Sequence, residues 1–264
     1  AATDPALRED ALRYLVLVNA PGAVAAVERA LRDPAPFVRA AAADSAHGLR
    51  ASTLVRALAR ALAAETDPDV RFRLARALGA TPGRDAERAL AGLLHDDRPA
   101  DRAGVFGDYP VPVAHVAAFH LQRRAPAVAV PMLVAALDAP APRLRELVRD
   151  ALRQATAHDV APADADGETA AWQAWLKRHG KHPPLRWVRD GLTAAGYAYK
   201  RLDRNAVAPL LRAVADPRPW VRRGADRALH TLAGTTPTSG GPTADAARAW
   251  SRWCIRRYGP RHCR

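Results

Sequence analysis

Apolar residues recur every three or four positions in short blocks along the chain, and polar turns separate the blocks. In one block Val24, Val27 and Leu31 share a helical face, and after the next turn Val38 and Ala42 begin another. Ala, Leu and Arg, which are strong helix formers, dominate the composition. The predicted helices are short, about 10 to 16 residues each, and helices of this length are marginal alone, so they must pack against one another. The pattern predicts an all-α chain.

The same short sequence motif recurs in the turns. It is an Asp that is usually followed by Pro and, a few residues later, by Val-Arg or Leu-Arg. Asp can accept hydrogen bonds from the free amides of a helix start, and Pro suits its first turn. The copies start at Asp4, Asp33, Asp67, Asp138 and Asp216. Their spacings of 29, 34, 71 and 78 residues, the last two being double steps, are typical of stacked repeats. The helical segments predicted after residue 50 are 54–64, 70–78, 86–94, 113–123, 128–137, 144–155, 207–214 and 220–232.

This combination of paired helices, Asp-Pro turn and Val-Arg step resembles HEAT repeats, of the bacterial kind that overlaps with the PBS-lyase HEAT-like repeats. The resemblance covers residues 4–156 and 205–233 and implies an α-solenoid of stacked helical hairpins. In that family the second-helix arginine usually pairs with a turn Asp of a neighbouring repeat. By similarity, a ladder is expected between Arg39, Arg71, Arg145 and Arg222 and the carboxylates of Asp33, Asp67, Asp138 and Asp216. The resemblance leaves function open, because such repeats serve as scaffolds, adaptors, cofactor-handling lyases and DNA glycosylases.

A longer duplication ends each of two arrays with a Trp-x-x-Trp sequence. The pairs are Trp172 with Trp175 and Trp250 with Trp253. Tryptophans three residues apart project from one helical face and can cover the apolar end of a repeat stack, and similar tails close bacterial HEAT-repeat proteins. The alternative is an aromatic platform that stacks bases or sugars. A helix-breaking stretch at 181–184 predicts two parts, 1–180 and 181–264, within one continuous solenoid.

The net charge of +13 is concentrated in the last third of the chain. Residues 1–180 hold 23 basic and 22 acidic side chains, whereas residues 181–264 hold 17 and 5. Arginines there, among them Arg252, Arg256 and Arg257, would attract an acidic protein surface, nucleic acid, an anionic polysaccharide or lipid headgroups. The alternative is a solvated surface in which arginine is frequent because of GC-rich codon usage.

An insertion at 98–112 places Phe106, Asp108 and Tyr109 in a loop, where a solenoid often contacts its partners, although an ordinary linker would look the same. Cys254 and Cys263 are nine residues apart. A disulfide is favoured over free thiols, and both over a metal site, which would need two more ligands where only His230 and His262 are near in sequence. A disulfide would indicate an oxidising compartment, periplasmic or extracellular.

No sequence motif indicates catalysis. A Gly-rich phosphate loop, a Gly-x-Ser-x-Gly motif and a Cys-x-x-Cys motif are all absent, and His115 and His120 are five residues apart, so they do not share a helical face. HEAT-like DNA glycosylases use Trp and Asp side chains in a concave cleft, and the corresponding pair in this sequence is Trp187 with Asp190, which is weak support for that activity. We therefore expect a non-catalytic scaffold or accessory subunit without cofactor or metal, with a protein partner of acidic surface. The alternative is a nucleic-acid-binding protein that uses the basic third. The apolar runs are too short to cross a membrane.

Overall fold

A computed structural model describes residues 3–100, 111–138, 141–160, 167–234 and 244–263. These residues form fourteen α-helices and four 3-10 helices, at Ser52–Leu54, Ala136–Asp138, Arg204–Ala206 and Pro260–His262, and they contain no β-strand. The all-α prediction is confirmed. Contacts divide the chain into two compact units, unit 1 within 1–124 and 139–144, and unit 2 within 125–138 and 145–264.

Unit 1 contains the first seven helices: α1 (Pro5–Leu17), α2 (Ala23–Ala30), α3 (Pro36–Leu49), α4 (Val55–Ala64), α5 (Pro68–Ala80), α6 (Arg84–Gly92) and α7 (Val113–Leu121). The Asp-Pro turns start helices as the pattern predicts. Asp4 accepts a hydrogen bond from the Ala6 amide at the start of α1, and Asp67 accepts from the Asp69 and Val70 amides at the start of α5. Each of these carboxylates satisfies amide groups that have no partner inside the helix.

The helices of unit 1 pack as consecutive hairpins. The odd-numbered helices pack in series, α1 against α3, α3 against α5 and α5 against α7, while α2, α4 and α6 pair with α3, α5 and α7. Alanines fill much of the core and allow close approach between helices. Gly79 allows one such approach, because an added Cβ there would lie 2.1 Å from the His120 ring.

Unit 2 contains the other seven: α8 (Pro126–Ala135), α9 (Pro142–Thr156, which belongs to this unit from residue 145), α10 (Glu168–His179), α11 (Pro184–Ala194), α12 (Val207–Val214), α13 (Pro219–Ala233) and α14 (Ala244–Tyr258). Its largest packed pairs join α13 to α12 and to α11, and α12 to α14. Val188, Leu210, Val221 and Leu229 form its core together with Trp250.

The division into units falls elsewhere than the boundary predicted at 181–184. A new helix, α11, does begin at Pro184, but α10 and α11 belong to the same unit. The rings of Trp175 and Trp187 pack with centroids 5.6 Å apart, and the Trp187 indole donates a 2.7 Å hydrogen bond to the His179 carbonyl. These contacts join the two sides of the Lys-His-Pro-Pro stretch, which sequence reasoning interpreted as a break.

The arginines of the predicted ladder have partners other than the expected aspartates. Arg39 donates 2.7 and 2.8 Å hydrogen bonds to both carboxylate oxygens of Glu65, and it reaches only the main-chain oxygen of Asp33. The Asp33 carboxylate instead accepts from Arg8, at 2.7 and 2.8 Å. In both cases the arginine of one odd-numbered helix donates to a carboxylate in the turn before the next odd-numbered helix, so Arg8 precedes Arg39 as the first member of the series.

The other predicted pairs differ in the same way. Arg71 donates to the main-chain oxygens of Pro99 and Glu65, because the Asp67 carboxylate caps α5. Arg222 donates to the main-chain oxygen of Asp216, 2.8 Å away. Both Asp138 and Arg145 lie within the described residues, and no ion pair joins them; Asp138 is exposed and Arg145 half-buried. Arg71 and Arg222 therefore stabilise turns by donating hydrogen bonds to main-chain oxygens.

Candidate functional site

The last helix presents arginines on its outer surface because two residues of its opposite face are buried. Trp250 and Cys254, four residues apart, lie completely inside unit 2. Arg252, Arg256 and Arg257 are exposed, and the side chain of Ile255 between them is 49% exposed. We call Arg252, Ile255, Arg256 and Arg257 the α14 patch. The helical period places Arg252, Ile255 and Arg256 on the side of α14 away from Trp250 and Cys254, whereas Arg257, seven residues after Trp250, lies on the same side as Trp250 and is exposed in the last turn.

A disulfide joins α14 to the residues that follow it. Cys254 and Cys263 are bonded, with their Cα atoms 6.0 Å apart. Gly259, at a φ of 80°, adopts the left-handed conformation that glycine accommodates most easily, and the chain turns there into the last 3-10 helix. The disulfide holds this short helix, with exposed Arg261, against the end of α14.

The arginines of the α14 patch differ from most others in the basic third because they have no structural partner among the described residues. Arg218 pairs with Asp216, Arg189 with Asp190, and Arg248 with Asp245. Other arginines are occupied by main-chain or amide oxygens, namely Arg222, Arg223 and Arg227. Lys181, Lys200, Arg201, Arg204, Arg212 and Arg261 are exposed as well, so the patch is one of several parts of the basic third with charge available to a partner, and it is the one in which three such arginines lie on a single helix.

The tryptophans offer little indole surface to a ligand. Trp172 and Trp175 are buried, and Trp175 stacks on His179 with ring centroids 5.1 Å apart. Trp250 is buried, packs edge-on against Trp253, and donates a 2.7 Å hydrogen bond from its indole to the Asp226 carboxylate. Base or sugar stacking needs exposed ring faces. The geometry therefore favours packing roles for these side chains over a stacking platform.

Trp187 and Asp190, the pair compared with a DNA glycosylase site, do not converge on a cleft. Trp187 is buried with its indole bonded to a main-chain oxygen, and Asp190 accepts from Arg189 at 2.8 Å. Both groups are therefore engaged in local structure.

The pKa of Asp216 is lowered by the hydrogen bonds that its carboxylate accepts within the fold. It is buried and accepts hydrogen bonds from the Arg218 guanidinium at 2.8 Å, from the Tyr197 hydroxyl at 2.7 Å, and from the Arg218 amide at 2.8 Å. The Arg218 guanidinium is the main cause that lowers the pKa of Asp216 from 3.8 to about 2, and Tyr197 adds to it, although burial opposes both. These contacts tie the loop before α12 to the turn before α13.

Unit 2 is expected to lose stability as the pH falls from about 4 to 2. The folded-state pKa of Asp216 lies below its unfolded value, so the charged carboxylate stabilises the fold above pH 4 by about 2 kcal/mol. At pH 6, Asp216→Asn should lower the free energy of unfolding by about 2 kcal/mol. Below pH 4 its stability should depend less on pH than that of the wild type. Thermal unfolding of both proteins between pH 2 and 6 measures this. Parallel curves for the two proteins would contradict the assignment.

The histidines of α7 are half-buried and unfavourable for carrying charge. Burial is the main cause that lowers the pKa of His120 to about 4, and Arg124 adds to it. Burial also lowers the pKa of His115. Within the described ranges, no group of three His, Cys, Asp or Glu side chains is arranged to hold a metal ion.

Phe106, Asp108 and Tyr109 of the insertion lie outside the described residues. Sequence reasoning missed Glu65, a buried carboxylate that accepts from Arg39 and from the amides of Thr66 and Asp67. No repeat signal could have found it, because the corresponding position before the Asp33 turn is Leu31.

No helix in the part of the chain that the structure describes combines the length and apolar character needed to span a bilayer. No protein-family model matches the chain, and no curated protein matches it either.

Proposed function

We propose that this protein is a non-catalytic scaffold or accessory subunit, an α-solenoid of HEAT-like helical hairpins whose α14 patch binds the acidic surface of a protein partner. The solenoid part is supported by the hairpins α2–α3, α4–α5 and α6–α7, which follow one another in unit 1. Each hairpin repeats the same helix-turn-helix pattern, and the first two each bury apolar surface against the hairpin that follows.

The observation that carries the binding proposal is the state of the three arginines in the patch. Arg252, Arg256 and Arg257 are exposed on a well-anchored helix and are unpaired among the described residues, whereas Arg218 and Arg222 serve the fold. Exposed, unpaired cations on a rigid helix raise the association rate with an anionic partner and set its orientation. Because the helix fixes their backbone, binding costs side-chain conformational entropy but little backbone entropy.

A protein partner is favoured over nucleic acid because the patch is mixed in character. Ile255, an apolar side chain, lies among the arginines, as in protein interfaces where apolar and arginine side chains alternate. A nucleic-acid groove would add aromatic rings with free faces, and the tryptophans of unit 2 are largely buried. Nucleic-acid binding through the basic third remains the alternative function.

Charge reversal of the patch should abolish most binding to an acidic polypeptide. We expect Arg252→Glu/Arg256→Glu/Arg257→Glu to weaken binding to poly-L-glutamate by about tenfold or more, because three favourable charge contacts become repulsive. The matched control is Arg29→Glu/Arg56→Glu/Arg84→Glu, which makes the same charge change at exposed positions of unit 1. Titration by fluorescence anisotropy at physiological salt measures both. Equal affinities for the two variants would refute the proposal.

A salt titration with a DNA duplex as the second probe separates the two functions. Phosphate binding weakens with a slope of about −0.9 per phosphate contacted in a plot of log K against log salt. A patch of three arginines that binds a protein face gives a shallower dependence. Tighter binding to the duplex with a steep slope would support the alternative function.

The Cys254–Cys263 disulfide supports a location in an oxidising compartment, periplasmic or extracellular. The disulfide has a role at the patch itself, because it secures the segment next to Arg257 and so limits the motion of the end of α14.

A further inference from the structure

The first helix carries an apolar stripe that faces solvent. Leu7 is 56% exposed, Tyr14 64% and Val18 49%, and Ala11 between them is also exposed. These residues follow one another at spacings of three and four, so they line one face of α1 and its C-cap. Half of the large apolar residues exposed in the described ranges belong to α1 and its cap, Leu17 being the fourth. We call Leu7, Ala11, Tyr14 and Val18 the α1 stripe.

The repeat register shows that this face is a packing face elsewhere in the same unit. Aligning Arg8 with Arg39 and Arg71 superposes α1 on α3 and α5. The positions equivalent to Leu7, Ala11 and Tyr14 are then Val38, Ala42 and Ser45 in α3, and Val70, Leu74 and Ala77 in α5. All six are buried, none being more than 9% exposed. The chain therefore contains two internal copies in which this face is covered.

In α3 and α5 the equivalent faces are covered by other helices of unit 1. Both α3 and α5 pack against a preceding helix of the same kind, α1 and α3 respectively, as well as against their hairpin partners α2 and α4. The main packing partners of α1 are α2 and α3, which both follow it in the chain. The α1 stripe thus continues an established interface and fits a helix of its own kind.

We propose that the α1 stripe is a self-association surface, on which α1 of a second copy packs in antiparallel orientation about a two-fold axis. Within the described residues, α1 is the one helix of the odd-numbered series in unit 1 that leaves such a stripe exposed. A two-fold contact requires a self-complementary surface. Antiparallel pairing centred between Ala11 and Tyr14 sets Leu7 against Val18 of the second copy, and Ala11 against Tyr14. Small side chains then face large ones at the centre, which allows the helices to interdigitate.

The charges on α1 are compatible with this contact. The two arginines of the helix are already paired, Arg8 with Asp33 and Arg13 with Glu9, so no excess positive charge flanks the stripe. Asp10 lies at one edge of the stripe and is exposed. The antiparallel arrangement brings Asp10 to the same edge as Arg13 of the second copy, and it aligns the helix dipoles favourably.

The dimer is expected to be weak. One helix from each copy contributes less than the roughly 800 Å² per partner of a standard interface, which places its dissociation constant in the micromolar range or above. Sedimentation velocity from about 5 to 500 µM protein measures this. We expect the average mass to rise from 28.4 kDa toward twice that value with concentration. A single species of 28.4 kDa throughout would overturn the proposal.

Point variants locate the contact. Tyr14→Glu should weaken self-association at least tenfold, because it places a charge at the centre of the stripe, and it should leave the monomer folded since Tyr14 is exposed. Leu185→Glu is the matched control, because Leu185 is an exposed apolar residue of unit 2. Self-association that is equal in the two variants would overturn the proposal. The charge-reversed α14 variant should self-associate like the wild type, which keeps this proposal separate from the one on partner binding.

Cross-linking tests the antiparallel geometry. The described residues contain no free thiol, so a single introduced cysteine reacts specifically. We expect Ala11→Cys, near the centre of the contact, to form covalent dimers with a short bismaleimide at concentrations where the wild type self-associates. Gly48→Cys, an exposed position of α3 with open space around it, should not. Equal yields of covalent dimer would contradict the arrangement.

Discussion

Trp250→Ala is expected to destabilise unit 2 by about 4 kcal/mol, the largest effect of any single substitution considered. The side chain is completely buried in the core of the unit and touches the rings of His230 and Trp253, at centroid distances of 4.9 and 5.3 Å. Removing it leaves a large cavity, and such changes cost about 3 to 5 kcal/mol. The Asp226 carboxylate also loses its indole donor. Urea unfolding followed by circular dichroism measures the free energy of unfolding.

Two further variants separate packing from hydrogen bonding at this position. Trp250→Phe retains an aromatic ring and loses the N–H group, so it should cost clearly less than Trp250→Ala. Ile255→Ala, on the exposed face of the same helix, is the control and should change stability by less than about 0.5 kcal/mol. If Trp250→Ala cost no more than Ile255→Ala, the core position of this tryptophan would be refuted.

Glu65→Ala is expected to have the second largest effect, a loss of about 3 kcal/mol in the free energy of unfolding of unit 1. The Glu65 side chain is only 3% exposed and accepts two hydrogen bonds from Arg39. It also accepts from the amides of Thr66 and Asp67, so its removal leaves a partly buried cation and two amides without partners. Breaking a buried pair by removing one partner costs about 3 to 5 kcal/mol, and the residual exposure of Arg39 moves the value to the lower end.

A double-mutant cycle tests whether Glu65 acts through Arg39. Arg39→Met/Glu65→Ala should cost less than the sum of the single changes, because neither charge is then left alone. Glu28→Ala serves as the control, since Glu28 is 45% exposed and lies 3.6 Å from Arg32 and Arg60. It should cost less than about 1 kcal/mol. Strict additivity of the Arg39 and Glu65 substitutions would show that the pair is not coupled.

Much of the secondary structure could be predicted from local pattern alone. The segment 113–123 matches α7 (Val113–Leu121) closely, and 207–214 coincides with α12 (Val207–Val214). Apolar spacing, Asp at helix starts and Pro in first turns act within a few residues, so they can be read from the chain without knowing its neighbours in space. Two helices of the basic third are absent from the predicted segments. For α14 (Ala244–Tyr258) only the Trp-x-x-Trp spacing indicated a helix, and α11 (Pro184–Ala194) follows the Lys-His-Pro-Pro stretch and was obscured by it.

The candidate site was only partly predictable, for a physical reason that Arg222 and Arg256 illustrate. Both are arginines of the basic third, and nothing in the sequence distinguishes their availability. In the structure Arg222 donates to the main-chain oxygens of Asp216 and Pro217, whereas Arg256 is exposed and unpaired among the described residues. Which cation is consumed by the fold depends on distances that only the packed helices define.

The amino-acid sequence by itself determined the all-α class, the turn positions and the concentration of positive charge in the last third, because each arises from local spacing or composition. The tertiary structure decided which carboxylate faces each arginine, which tryptophan faces are buried, and which apolar face of α1 is left open to solvent. These depend on contacts between residues 20 to 70 positions apart, as in the Arg39–Glu65 and Arg223–Gln154 hydrogen bonds. A pattern read along one helix cannot show what lies against it.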